Sequence, residues 1–187
     1  LREALGQAAR ELPKRMTEGN FRLAVDRSFL LAGAGRVVTG TVFSGAVNVG
    51  ETLMLAPLGA SVRVREIHAQ NRAADTAVAG QRCALNVVGG DLRRAEIHRG
   101  DWVLAEPACF GVSRFDARIK ILGSEERAFK NRTPVHVHVG AADVTGRVLL
   151  LEDTDIPPGG NGLVQIQLDH AIGMVRGDRI IVRDQSA

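Results

Sequence analysis

Three groups of side chains in this sequence have types and spacings suited to chemistry. His136 and His138 stand two apart in an alternating run, so both project from one face of a strand. Two imidazoles are half of a transition-metal site, but no third ligand stands at a suitable spacing, and no metal is expected. Cys83 and Cys109 lie 26 positions apart. No close cysteine pair marks a zinc site, and two cysteines make no disulfide framework, so both read as reduced thiols of a cytoplasmic protein. Glu152, Asp153 and Asp155 cluster beside a strand end. Such a group more often solvates a loop than forms an acid–base pair.

The basic side chains form a further group. Lys and Arg number 24, and all but Lys14, Lys120 and Lys130 are arginine. Planar guanidinium forks suit phosphate and carboxylate. The net charge of only +3 is weak support for a polyanionic partner. No Gly-x-x-x-x-Gly-Lys-Ser/Thr phosphate loop, Gly-x-Ser-x-Gly elbow or His-Glu-x-x-His helix occurs, and Gly33, Gly35 and Gly40 join strands and do not lead into a helix. No catalytic constellation is visible, and the pattern reads as binding.

The elements that carry these groups follow from periodicity. The chain has 187 residues, 45% hydrophobic and 24% charged, which is ordinary for a globular protein and allows one large domain or two small ones. No run of eighteen apolar residues forms a transmembrane helix, and no basic-then-apolar leader marks secretion. Aromatics are 4% and tyrosine is absent, so the core must be aliphatic. Residues 1–12 carry apolar side chains at helical spacing until Pro13, and residues 14–20 read as a linker. With Leu1 as the first residue, this stretch is read as the tail of a preceding domain.

Beyond residue 20 the period falls to two. Val62 and Val64, Phe115 to Ile121, Val135 to Val139 and Val164 to Leu168 each alternate with polar residues, as half-buried strands do. Breakers separate them at Gly33-Ala34-Gly35, Pro57-Leu58-Gly59, Gly89-Gly90, Pro157 to Gly160 and Asn161-Gly162. Many short strands with close turns predict an all-β barrel or sandwich. A boundary near Glu106 to Cys109 divides the chain into modules of 21–108 and 109–187.

Longer motifs narrow this reading. Phe21-Arg-Leu-Ala-Val-Asp-Arg27 followed by Gly33-Ala-Gly-Arg-Val-Val-Thr-Gly40 resembles the start of domain 2 in translational GTPases such as elongation factor Tu. More distinctive are His68-Ala-Gln-Asn71, Ala79-Gly-Gln-Arg82 with Ala84-Leu-Asn86, Arg99-Gly-Asp-Trp102, Val144-Thr-Gly-Arg-Val148, Leu150-Leu-Glu-Asp153 and Arg183-Asp184. Together with His136 and His138 they resemble the SelB family of selenocysteine-specific elongation factors over residues 21–187. The resemblance implies two consecutive antiparallel β-barrels after the helical tail of a GTPase domain. The last strand of the second barrel is expected beyond Ala187.

The same resemblance implies the function. These modules would bind selenocysteyl-tRNA, and the full-length factor would deliver it to the ribosome for UGA recoding. GTP and Mg would bind in a GTPase domain outside this segment, which would itself hold no cofactor and catalyse nothing. An mRNA hairpin would bind only through C-terminal winged helices. The segment is expected to be monomeric, cytoplasmic and free of membranes. The aminoacyl pocket is expected at Asp26, Arg27, Phe29, Gln81 and Arg82, where two guanidiniums would favour an ionised selenol over the neutral hydroxyl of serine. A structural ion pair at a barrel rim is the plainer role for Asp26, Arg27 and Arg82. His68, Gln70 and Asn71 are expected near the tRNA 3′ end or as turn formers. Arg127, Lys130, Arg132 and Arg147 are expected on the tRNA backbone or simply in solvent. Domains of another elongation factor Tu-like GTPase, or a stand-alone β-barrel binding module, are the alternatives.

Overall fold

The computed structural model describes residues 2–11, 17–89, 92, 96–106 and 111–185. Helix α1 (Arg2–Glu11) matches the expected helical stretch and buries none of its side chains. Leu1, Leu12 to Met16 and, of the boundary expected at Glu106 to Cys109, all but Glu106 lie outside the described residues.

The first barrel is built from β1 (Arg22–Leu31), β2 (Gly35–Ser44), β4 (Thr52–Ala56), β5 (Ala60–Ala69), β8 (Arg82–Val88) and β9 (Trp102–Leu104). They pair in the order β4-β9-β1-β2-β8-β5, and β4 also pairs with β5, which closes the ring. Short β6 (Arg72–Ala74) extends β5, and β3 (Ala46–Asn48) pairs with β7 (Thr76–Val78) as a separate ribbon. The interior is aliphatic, with Leu23, Val25, Val38, Leu55, Val64 and Leu85 essentially sealed from solvent. Closure leaves no exposed edge in this ring.

The second module pairs β10 (Gly111–Lys120), β12 (Thr133–Val139), β13 (Ala142–Leu150), β15 (Asn161–Gly173) and β16 (Ile181–Asp184) in the order β10-β15-β13-β12-β16. A ribbon of β11 (Phe129–Lys130) and β14 (Asp155–Ile156) accompanies it. Among the described residues no strand joins the edges β10 and β16. Asn161-Gly162, expected as a turn, instead opens β15. A Cβ at Gly162 would sit 2.7 Å from Ile156, so this glycine makes room for the ribbon beneath it.

The two modules meet around Trp102, whose ring is fully buried. Phe43 packs edge-on at 5.1 Å between centroids. A Cβ at Gly140 or Gly173 of the second module would come within 2.7 Å of the indole. Glycine at both positions therefore forms the seat into which the indole fits. Arg22 lies over the indole, 4.5 Å from its centroid, and its Nη1 and Nη2 each donate to Asp178 at 2.7 Å. This buried fork-to-fork pair bolts the barrels together.

Candidate functional site

An open pocket of about 390 Å³ lies on the outer face of the first barrel, across β1, β2, β8 and β5. Its placement begins with a bulge in β1. Val25 pairs with Gly40 but Arg27 pairs with Thr39, so Asp26 is the extra residue. A Cβ at Gly40 would stand 2.0 Å from the Ala24 carbonyl oxygen, so only glycine lets β1 crowd β2 there. This gives the Val37-Val-Thr-Gly40 motif a physical reason. Beyond the bulge, Phe29 faces outward opposite Val37, and both line the pocket.

Asp26 is the centre of the polar network. Its Oδ1 accepts from Thr39 Oγ1 at 2.6 Å and from Arg82 Nη2 at 2.9 Å, and its Oδ2 accepts from Arg82 Nε at 3.1 Å. The Arg82 side chain is 57% exposed and lines the pocket, whereas that of Asp26 is 26% exposed. The carboxylate thus grips one edge of the guanidinium and holds it in place. Beneath it, burial pushes the Cys83 thiol up to about 12; the Arg82 charge opposes this and the Asp26 charge adds to it. At pH 8 a thiol of this kind is thiolate only about one part in 10⁴. Cys83 should therefore resist iodoacetamide in the folded protein and react once urea unfolds it. Peptide mass mapping separates it from Cys109, and rapid labelling of native Cys83 would contradict this.

The expected residues are only partly gathered. Phe29, His68, Asn71 and Arg82 line the pocket, and Asp26 bonds to its wall. Arg27 is exposed and shares Thr39's face, beside the lining but not in it. Gln81 turns away: its Oε1 accepts from the Val78 amide at 3.0 Å and closes a turn. His68 lies within β5, whereas Gln70 and Asn71 form the two-residue turn to β6 with φ of 52° and 65°. Two positive φ values at a two-residue hairpin match a type I′ turn, which asparagine tolerates well. Thr39 and Asn86, which stood in sequence motifs but were not expected in the site, also line it.

The four basic residues of the second module are exposed, and none of them lines this pocket. Arg127 is in a loop, Lys130 sits on β11 and Arg147 on β13. Arg132 has φ 63° and its amide donates to Val148, so it lies beside Arg147 at one end of the β12–β13 ladder.

A larger cleft of about 450 Å³ opens between the barrels, with His98, Asp101, Asp143 and His170 in its walls. Burial raises the Asp101 carboxyl, opposed by its bond to the His98 amide and by the charges of His98 and His170. The bond to His136 Nδ1, at 2.8 Å, holds Asp143 below the usual carboxylate range. His136 and His138 stack with centroids 6.3 Å apart. Among the described residues no three His, Cys, Asp or Glu come together to hold a metal ion, and no helix is long and apolar enough to cross a membrane. None of the residues expected to bind cargo lines this cleft.

A closed six-stranded barrel followed by a second β-module is the architecture of the elongation factor Tu-like class of translation proteins. Residues 35–104 match the model for elongation factor Tu domain 2. Residues 116–187 match the β-barrel domain of the selenocysteine-specific elongation factor. The chain belongs to the selenocysteine-specific elongation factor family. It is 40% identical to the selenocysteine-specific elongation factor of Escherichia coli over 99% of its length, and 38% identical to that of Haemophilus influenzae over 89%. It spans 28% and 26% of those relatives' own lengths. The fold is that of SelB from Methanococcus maripaludis, with a TM-score of 0.82 over the whole chain and 43% of that protein, at 24% identity. A bacterial selenocysteine-specific factor gives 0.80, with the whole chain covering 29% of that protein at 23% identity.

Proposed function

We propose that these barrels bind the aminoacyl end of selenocysteyl-tRNA, and that the full-length factor carries it to the ribosome as a GTPase. The observation that carries this reading is the Asp26–Arg82–Thr39 network on the wall of an open pocket. A selenol is largely ionised at neutral pH, and serine on the precursor tRNA is neutral. A guanidinium held at the pocket wall by Asp26 attracts the first through its remaining edge and gains no charge partner there from the second. Sites whose polar groups go unmatched can reject an analogue by about 10⁴-fold or more. The Asp26 carboxylate suits two tasks, orienting Arg82 and receiving the cargo's α-ammonium group. In this reading Arg27 strengthens the positive field beside the pocket, and Arg127, Lys130, Arg132 and Arg147 of the second module meet the tRNA backbone.

GTP and Mg belong to another domain of the full-length factor, because this chain holds no phosphate-binding loop. Selenocysteyl-tRNA, the ribosome and, through further domains, an mRNA hairpin are the proposed partners of that factor. Filter binding of the full-length factor with GTP to selenocysteyl-, seryl- and uncharged tRNA tests the function. The selenocysteyl form should bind tightest, and equal affinity for all three would overturn the proposal.

A further inference from the structure

The barrels make a second contact beside the Trp102 seat, along the cleft of about 450 Å³. On the first barrel it is a tight turn from His98 to Asp101. The Asp101 amide donates to the His98 carbonyl at 3.2 Å, and Asp101 Oδ2 accepts from the His98 amide at 2.8 Å. Gly100 in this turn has φ 101°, and a Cβ there would stand 2.9 Å from the Ala142 backbone. Arg99 Nε donates across the junction to the Ala141 carbonyl at 3.3 Å. The turn is thus pressed onto the β12–β13 turn of the second module.

Both walls of the cleft carry groups that titrate. Asp101 is half-buried, and among the described residues its carboxylate has a neutral amide as donor and no ion-pair partner. A carboxylate removed from water is costly unless a positive charge faces it. An asparagine would accept the same amide hydrogen bond without that cost. The charge of Asp101 therefore serves a cation. Burial raises its carboxyl, the His98 amide bond opposes this, and so do the charges of His98 and His170. His98 sits on the same turn, with Glu96 Oε2 3.5 Å from its Nε2, so its charge joins nothing across the cleft. His170 is exposed on β15, on the wall of the second module. Arg99 and Asp143 also line the cleft and act on His170 with opposite signs. Asp143 is already engaged by His136 at 2.8 Å, with His138 at 3.7 Å, and Asp169 beside His170 takes the Thr145 hydroxyl.

We propose that this cleft is a proton-operated clasp, in which protonated His170 on the second module is held by Asp101 on the first. Histidine is the side chain that ordinarily changes charge between pH 5 and 8. The attraction is present while His170 is charged and fades as pH rises and the imidazole loses its proton. It is lost again in acid when Asp101 takes up a proton, which burial moves to a higher pH than for an ordinary carboxyl. The Arg22–Asp178 pair, by contrast, uses a guanidinium that keeps its charge throughout. The junction thus joins one permanent fastening to one that is tightest in mild acid.

The test is a double-mutant cycle on this chain at low ionic strength. Wild type, His170→Gln, Asp101→Asn and the double variant are unfolded in urea at pH 6 and at pH 8.5, followed by Trp102 fluorescence. Asp101→Asn keeps the acceptor for the His98 amide. At pH 6 the two residues should be coupled by about threefold in the unfolding equilibrium constant, the size of a partly exposed ion pair. At pH 8.5, and at pH 6 in about 1 M salt, the coupling should vanish. The cycle cancels the titration of His136, His138 and Asp143, which all four proteins share. A further variant, His170→Lys, carries its charge at both pH values. It should be more stable than the wild type at pH 8.5 and no more stable at pH 6, and it decides the matter if circular dichroism shows that Asp101→Asn does not fold. No coupling at pH 6 overturns the proposal. Coupling of equal size at both pH values, or a His170→Lys that gains nothing at pH 8.5, overturns it as well.

Discussion

Asp178→Ala is expected to destabilise the paired barrels by about 3–5 kcal/mol. Asp178 receives both terminal nitrogens of Arg22 at 2.7 Å, and the two side chains are only 11% and 9% exposed. Removing the carboxylate strands a guanidinium at a junction already sealed by Trp102. It also leaves the Val175 amide, now bonded to Asp178 Oδ2 at 2.9 Å, without its acceptor. Against a total stability of roughly 5–15 kcal/mol, the loss is large. Replacing both partners by apolar residues, as in Arg22→Met with Asp178→Leu, removes the stranded charge and should recover most of it. Urea unfolding followed by the Trp102 fluorescence reads both effects, because Trp102 is the chain's only tryptophan and sits at the junction. A single variant within about 0.5 kcal/mol of the wild type would place it among ordinary surface substitutions and remove the pair from the account of the junction.

The second large effect is on discrimination. Arg82→Ala should weaken selenocysteyl-tRNA binding far more than seryl-tRNA binding. A charge pair at 4 Å is worth about 1 kcal/mol in water and about 4 kcal/mol at an effective dielectric of 20. Arg82 is 57% exposed in the empty pocket, which favours the lower figure, and Asp26 already neutralises part of its charge. A bound tRNA end covers the guanidinium and moves it toward the higher figure. A loss on the order of 10²-fold for the selenocysteyl form lies between these limits. The seryl form has no charge to lose, and its change should stay within about threefold. Arg82 can contribute to the charge of the pocket only because Asp26 and Thr39 leave its remaining edge free to meet a ligand.

The fold was legible wherever one face of a strand is buried. Arg114 to Lys120, Val135 to Val139 and Val164 to Leu168 alternate cleanly, and all are strands. Asn161-Gly162 misled because glycine there serves packing against Ile156, and composition does not separate that from a turn. The bulge at Asp26 breaks the alternation and depends on Gly40 across the ladder, so no local pattern reveals it. The same limit applies to the site. Arg82, Thr39 and Asn86 stood in motifs and Phe29 just outside one, but only cross-strand register brings Thr39 and Asn86 into the site. Asn86 did carry a signal: it is the lone amide in the run Ala84-Leu85-Asn86-Val87-Val88, where a buried strand has little use for one. Gln81 shared a motif with Arg82, yet its side chain closes a turn, because neighbours in sequence need not face the same way.

The most direct test of the central claim is the ratio of dissociation constants for seryl- and selenocysteyl-tRNA, measured with the full-length factor and GTP, before and after Arg82→Ala. A pocket that recognises its cargo through the Asp26-held guanidinium predicts a ratio that falls by on the order of 10²-fold, nearly all from weaker selenocysteyl-tRNA binding. A ratio unchanged by the substitution, with both tRNAs losing affinity equally, would contradict it.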